Sequence, residues 1–488
     1  MRAITRVIPL VAFVPVIAVG ACSSTNTAGP DAGMTPTEAG TPVTDASTVS
    51  DADAAPRPPP AAGGTGAFGI VTINGKQKMY LPQKIGNAAG HPIIAVVDVG
   101  AAGNGAAGAP ALITTVDLGV TDAADDFEFA TATGGDASMV IAVSTDYPKI
   151  WFIDPNTDTL IKTLSLDTTM YGISSFSGGG GFVTGVAIDS ANHRAILSVW
   201  NGFALVDLTT QTITSVIQAP PSENFGFDSA HQRIIAPFYD CSASSLNGST
   251  SPSSCNTPKA ADGTVITDGL SIIDLSDSSV YNYLDAAIDG GEGFGGPTLT
   301  TPVGNEPDSA AADPTTGVIV VPSESDDFQS IIDLSMATFN KSTLTVTAPQ
   351  KVVTGLGLTG VAIEYNSHLA FWEEEHSDDV AVASLTDFNA GGATWVHGHL
   401  PVLPTDDAGN GGGGFANLGD PHGIAVTTGL STTGPVGFVV DSGLQWVARI
   451  DLTKMYAAAG ADAADSSTEI QGDQMAPFVT YLDATNKE

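Results

Sequence analysis

Residues 185–218, GVAIDSANHRAILSVWNGFALVDLTTQTITSVIQ, read as four short apolar runs separated by turn signals. The runs cover 185–188, 195–200, 203–208 and 213–217, and they are rich in β-branched and aromatic residues. Asn201-Gly202 and the string from Asp207 to Thr210 punctuate them. Short apolar runs bounded by such residues predict a four-stranded antiparallel meander. One sheet of this kind cannot bury both of its faces, so it predicts similar neighbours on either side.

The neighbours are found with two rulers. The first is an apolar strand ending in an acid that opens a turn: VVDV with Asp98, FIDP with Asp154, VDLT with Asp207, IIDLS with Asp274 and again with Asp333, and RIDLT with Asp451. VASLT, with Ser384 in the acid's place, fills the one gap, and the spacings are 56, 53, 67, 59, 51 and 67 residues. An Asp at such a place accepts hydrogen bonds from backbone amides two residues on, which is why the turn selects it. The second ruler runs ahead of the first: GVAIDSANHR at 185–194, FGFDSAHQR at 225–233, SAAADPTTG at 309–317, GVAIEYNSH at 360–368 and HGIAVTTG at 422–429. Two landmarks in phase, each repeat holding four short strands, predict an all-β chain folded as a β-propeller. Seven blades are expected over residues 67–488, starting at Phe68 and ending near Leu482; six or eight also fit the uneven spacings.

These strings resemble the YVTN-type and related lactonase-like propeller repeats, in which a GIAVD-like strand leads to a strand ending in Ile-Asp and a Thr-containing turn. The chain departs from those repeats by longer insertions, among them 241–255 and 340–349.

The start of the chain is of another kind. Residues 1–21 carry Arg2 and Arg6, an apolar run over 7–19 and small residues before Cys22. This is a secretory signal rather than a membrane span, which needs about 20 apolar residues. Val19-Gly20-Ala21-Cys22 resembles the lipobox of bacterial lipoproteins, and the resemblance implies cleavage before Cys22 and lipidation of it. An ordinary signal with an incidental cysteine is the alternative. Ser23 follows, which in the lipoprotein family favours the outer membrane. Residues 22–66 are Ala, Thr, Asp, Ser, Gly and Pro with almost no large apolar side chain, a composition that predicts a disordered tether between lipid and propeller.

Cys241 and Cys255 bracket a polar stretch and are expected to close a disulfide across it, contributing about 3 kcal/mol for a loop of that size. A zinc site is the weaker reading, because no His or further Cys stands nearby at ligand spacing. The formal charge of −37 provides no basic footprint for phosphate and excludes nucleic acid as a partner.

The loops that lead into the first strands are where chemistry is expected. Glycine-rich insertions enter at 177–181, 289–296 and 409–414, and glycine lets backbone approach a ligand closely. Beside them stand Glu223 and Asn224, Glu306 and Asp308, and Asp420 and His422, in strings that the second ruler aligns. Oxygen ligands converging from several loops suit calcium. Lactonase-like propellers use a central metal to polarise a carbonyl, so the resemblance implies a calcium-dependent hydrolase or lyase with His422 as acid or base. No ligand motif of those enzymes matches residue by residue, and a solvated face explains the same residues. His397 and His399, in WVHGH, point to one side of a strand and could bind a metal, but two ligands are an incomplete site. The run from Glu373 to His376 reads as an acidic turn or strand end, and His193 and His231 as surface turn residues. The expected function is therefore a lipid-anchored envelope protein whose propeller binds a protein, a glycan or a small molecule. The enzyme is the alternative.

Overall fold

A computed structural model describes residues 68–483, apart from 75, 84–91, 100–110, 121–128, 167–184, 239–268, 284–302, 401–422, 459–469 and several shorter connections. Seven sheets follow one another along the chain, each built on a four-stranded antiparallel blade, and one of them is widened to six strands by an added hairpin. Blade one is β1–β4 (Gly69–Ile73, Lys76–Gln83, Ile93–Asp98, Ala111–Asp117), and blade two is β5–β8 (Phe129–Thr133, Val140–Ser144, Lys149–Asp154, Thr159–Ser165). Blade three is β9–β12 (Val186–Asp189, Arg194–Val199, Gly202–Asp207, Thr212–Gln218), the meander expected from 185–218. Blade four is β13–β16 (Gly226–Asp228, Arg233–Phe238, Gly269–Asp274, Ser279–Tyr283). Blade five is β17, β18, β19 and β22 (Ala311–Ala312, Val318–Pro322, Phe328–Asp333, Gln350–Val353), interrupted by the hairpin β20–β21 (Thr338–Asn340, Thr343–Thr345). Blade six is β23–β26 (Val361–Glu364, Leu369–Glu374, Asp379–Ser384, Thr394–His399), and blade seven is β27–β30 (Gly423–Thr427, Val436–Val440, Trp446–Asp451, Val479–Asp483).

Side chains alternate along each strand, so each blade sends one apolar set to the blade before it and the other to the blade after. In β11, Ala204 and Val206 join the core shared with blade two, while Phe203 and Leu205 join the core shared with blade four. There are seven such inter-blade cores, and the seventh unites Met79, Leu81 and Val97 of blade one with Val436, Phe438 and Val447 of blade seven. The ring is therefore closed. Closure needs no exchanged strand; Gln77 Nε2 donates to Thr427 Oγ1 across the seam at 2.7 Å. The first strands of neighbouring blades touch, as β1 does β5 and β27, and β23 does β17 and β27, so they are innermost.

In three blades the acid that ends the third strand accepts from the amide two residues on, as expected, and in blade three from the amide three residues on. Asp154, Asp274 and Asp333 accept from the amides of Asn156, Ser276 and Ser335 at 2.8–2.9 Å, and Asp207 accepts from Thr210 at 2.7 Å. Ser384 does the same work through Thr386, hydroxyl to hydroxyl at 2.9 Å. Gly202 opens β11 at φ +137°, where a Cβ would run into the carbonyl of Ile217. An L side chain is excluded there.

Two features join blades beyond their apolar cores. The hairpin β20–β21, formed by part of the insertion after Asp333, leaves blade five and adds to the outer edge of blade four, with Thr343 paired in parallel to Asn282. Phe339 stands edge-on to Tyr281 at 5.1 Å and lies under the Arg233 guanidinium at 4.5 Å. Between blades one and two, the buried Lys78 ammonium meets Asp158 at 2.7 Å and the carbonyl of Pro155 at 2.9 Å, and Tyr80 donates its hydroxyl to the same Asp158.

Candidate functional site

Strand direction sorts the connections into two faces. Each inner strand begins at one face, and the second strand returns to it, so blade-to-blade crossings and the turns between second and third strands all lie there. We call this the entry face. The turns opened by Asp154, Asp189, Asp207 and Asp228 lie on the other. Asn224, half-buried just ahead of β13, is at the entry face, and its carbonyl accepts from Ser222 Oγ at 2.7 Å. Cys22, Glu223, Cys241, Cys255, Glu306, Asp308, Asp420 and His422 lie outside the described residues. Their places in the chain put Glu223, Glu306, Asp308, Asp420 and His422 ahead of the inner strands of blades four, five and seven.

The described residues converge elsewhere, at the entry-face end of blade six. Strand register decides which side chains can meet. Glu374 pairs with Asp379, Asp379 with His399, Trp372 with Ala381 and Ala381 with His397. Directly paired residues share a face, and so do residues two apart, so Trp372, Glu374, Asp379, His397 and His399 all stand on one side of the sheet. That side packs on blade five, as shown by the core that Trp372, Ala381 and Trp395 form with Val320, Ile331 and Val352.

His397 Nε2 lies 2.6 Å from Glu374 Oε2 and 3.0 Å from Asp379 Oδ2. The other oxygen of each carboxylate has its own partner. Trp372 Nε1 donates to Glu374 Oε1 at 3.3 Å, and His399 Nδ1 meets Asp379 Oδ1 at 2.6 Å. Glu374 is fully buried and Asp379 nearly so, whereas the side chain of His397 is 12% exposed and that of His399 38%. Solvent thus reaches the group from the histidine side. Burial alone would push the His397 imidazole down, but hydrogen bonds to Asp379 and Glu374 and the two negative charges overcome it and lift it to about 10.

The backbone beneath the two histidines is held in place. Ile470 donates its amide to His397 O at 3.0 Å and accepts from the His399 amide at 2.9 Å. Gly398, between them, faces away from the cluster toward two short helices, α1 (Leu452–Ala458) and α2 (Gly472–Met475), where a Cβ would meet Met475 Sδ at 2.6 Å and Met455 Cε at 2.9 Å. The His-Gly-His string therefore puts two donors on one face and leaves room for two methionines on the other.

Single-partner histidines stand on the opposite face of the ring. His368 Nδ1 meets Asp313 at 2.6 Å, joining blade six to blade five, and His231 Nδ1 meets Asp228 at 2.7 Å. His193, expected at the surface, is exposed in the turn after Asp189. Within the described residues, Glu374, Asp379 and His397 are the group whose ligand atoms all lie within 4.8 Å of one another. Of the two histidines in WVHGH, His397 joins this group, while His399 meets the other oxygen of Asp379.

No protein-family model and no curated relative matches the chain. Solved structures are similar at low identity. A Kuenenia stuttgartiensis hydrazine synthase chain is 11% identical, with 72% of this chain and 85% of that one covered and a TM-score of 0.47. A chain in a complex of KlAtg21 with the coiled-coil of AgAtg16 is 8% identical, with 79% and 94% covered and a TM-score of 0.44. The seven sheets and seven inter-blade cores establish the architecture without them.

Proposed function

We propose that the chain is a lipid-anchored envelope protein whose propeller is a binding module, with the entry face as its working surface. The observation that carries this reading is the distribution of chain between strands. Four of the longest connections, those holding 167–184, 239–268, 284–302 and 401–422, leave from and return to the entry face, and the three glycine-rich insertions fall within them, whereas one connection of similar length, 452–478 with its two short helices, joins the third and fourth strands of blade seven from the other face. Loops on a rigid scaffold are where recognition residues are carried. On the opposite face, the turns at 155–158, 190–193, 208–211 and 229–232 are short and closed by their own acids.

The anchor rests on the signal-like residues 1–21 and Cys22, and the tether 22–66 has the composition to hold a domain away from a membrane. A hydrolase using His422 and calcium at the channel mouth is the second reading, carried only by the likeness to lactonase-type repeats. The experiment is a paired one. Membrane fractions should retain the full chain and release its Cys22→Ala variant, and an unchanged fraction would remove the anchor. Crosslinking in intact cells should trap a partner on the wild-type chain that is lost when 284–302 is replaced by a short Gly-Ser turn. Identical crosslinks in both chains, or turnover of lactones abolished by His422→Ala, would overturn the binding-module reading.

A further inference from the structure

We propose that Glu374, Asp379 and His397 bind a divalent transition metal of the zinc class, at the entry-face end of the interface between blades five and six. The site is distinct from the channel mouth and does not depend on the lipid anchor or on the binding-module reading.

Three observations carry it. The first is convergence on one atom. Glu374 Oε2 and Asp379 Oδ2 approach the same nitrogen, His397 Nε2, at 2.6 and 3.0 Å. One N–H cannot lie along two lines at once, so as a hydrogen-bond donor it serves at least one acceptor poorly. A structural histidine in this protein looks different: His368 and His231 each hold one carboxylate through Nδ1. A metal with ligands at about 2.0–2.1 Å in tetrahedral arrangement would set the three donors about 3.4 Å apart. To accept it, the His397 nitrogen needs to separate by about 0.8 Å from Glu374 and about 0.4 Å from Asp379.

The second observation is that the outer partners are already in place. Metal-bound carboxylates and histidines are oriented by hydrogen bonds on the atoms that do not ligate. Trp372 Nε1 holds Glu374 Oε1, and His399 Nδ1 holds Asp379 Oδ1, leaving Oε2 and Oδ2 turned inward. The strand edge below is fixed by Ile470 and the two methionines under Gly398.

The third is the donor set and its access. Two carboxylate oxygens and one imidazole nitrogen disfavour calcium and magnesium, which take oxygen ligands, and suit zinc and its first-row neighbours. Three protein ligands with exposure on the histidine side leave a fourth position for water or a ligand, as in reactive rather than structural zinc sites. His399 acts here as a positioning residue.

The test titrates the untagged full chain with zinc chloride, and separately with calcium chloride, by calorimetry at neutral pH. One equivalent of zinc is expected, undisturbed by an equal concentration of calcium. Glu374→Gln and His397→Gln should each weaken it by at least about 100-fold, and His399→Ala by about 10–100-fold. In the wild-type chain, one equivalent should also shift the His397 ring resonances, which keeps the test decisive if a variant fails to fold. No uptake, equal affinity in folded variants, displacement by calcium, or unshifted His397 resonances would each overturn the proposal.

Discussion

His397 Nε2 lies 2.6 Å from Glu374 Oε2 although a whole strand, β25, runs between the strands that carry them. Two strand spacings, about 9.6 Å, separate those backbones. Both side chains must lean over Asp379 to meet, and the three together form a polar group beside the apolar core that blades five and six share.

The network between blades one and two should be strongly asymmetric to mutation. Asp158→Asn leaves the Lys78 ammonium buried with no anionic partner and should cost about 3–5 kcal/mol in urea unfolding. Lys78→Met combined with Asp158→Asn should recover much of that loss, because the double variant buries no unpaired charge. A double variant as unstable as Asp158→Asn alone would show that packing, not charge, explains the effect.

The hairpin that crosses from blade five to blade four should be held mainly by its aromatic contact. Phe339→Ala removes the ring that meets Tyr281 and Arg233, and about 1–3 kcal/mol should be lost. A double-mutant cycle with Tyr281→Ala should show coupling of about 0.5–1.5 kcal/mol. Zero coupling would place the strap's stability in its backbone pairing instead.

Turn acids set the expected response to low pH. The amide of Asn156, with the Asn156 and Thr157 side chains adding to it, holds the Asp154 carboxyl below its ordinary range, and the amide and hydroxyl of Thr210 do the same for Asp207. The unfolded chain keeps the ordinary value. A lowered folded value means that stability is fully present above the ordinary carboxylate range and is lost as pH falls through the lowered one. Thermal melts between neutral pH and pH 3 should therefore show a falling midpoint, and Asp154→Asn should flatten the fall. A variant with the same slope as wild type would exclude this turn as a contributor.

Gly202 should not tolerate a side chain. Gly202→Ala drives a Cβ into the Ile217 carbonyl at a positive φ, and about 2–4 kcal/mol should be lost. Gly119 also has positive φ but open space around it, so Gly119→Ala should cost only the backbone strain, about 1 kcal/mol. Equal costs at the two positions would contradict the steric account.

The blades were legible because one acid per repeat makes a turn bond, and the same local chemistry at Asp154, Asp207, Asp274 and Asp333 leaves a periodic mark in the sequence. Ser384 was legible for the same reason. The strap was not, since strands as short as Thr338–Asn340 and Thr343–Thr345 carry too few residues to show a period, and nothing local says that they pair with the previous blade. The metal-type cluster was half legible. Alternation alone puts His397 and His399 on one face, whereas Glu374 reads only as part of an acidic turn or strand end, and Asp379 carries no local signal until register brings the two acids opposite each other. Most of the residues expected at the channel mouth, from Glu223 to His422, lie outside the described residues, with Asn224 the exception.

The most direct measurement is an anomalous difference map, at the zinc absorption edge, from crystals of the full chain grown with one equivalent of zinc. The account predicts a single strong peak about 2.0–2.2 Å from Glu374 Oε2, Asp379 Oδ2 and His397 Nε2. A map with no peak there, or with its strongest peak at another group of side chains, would contradict it.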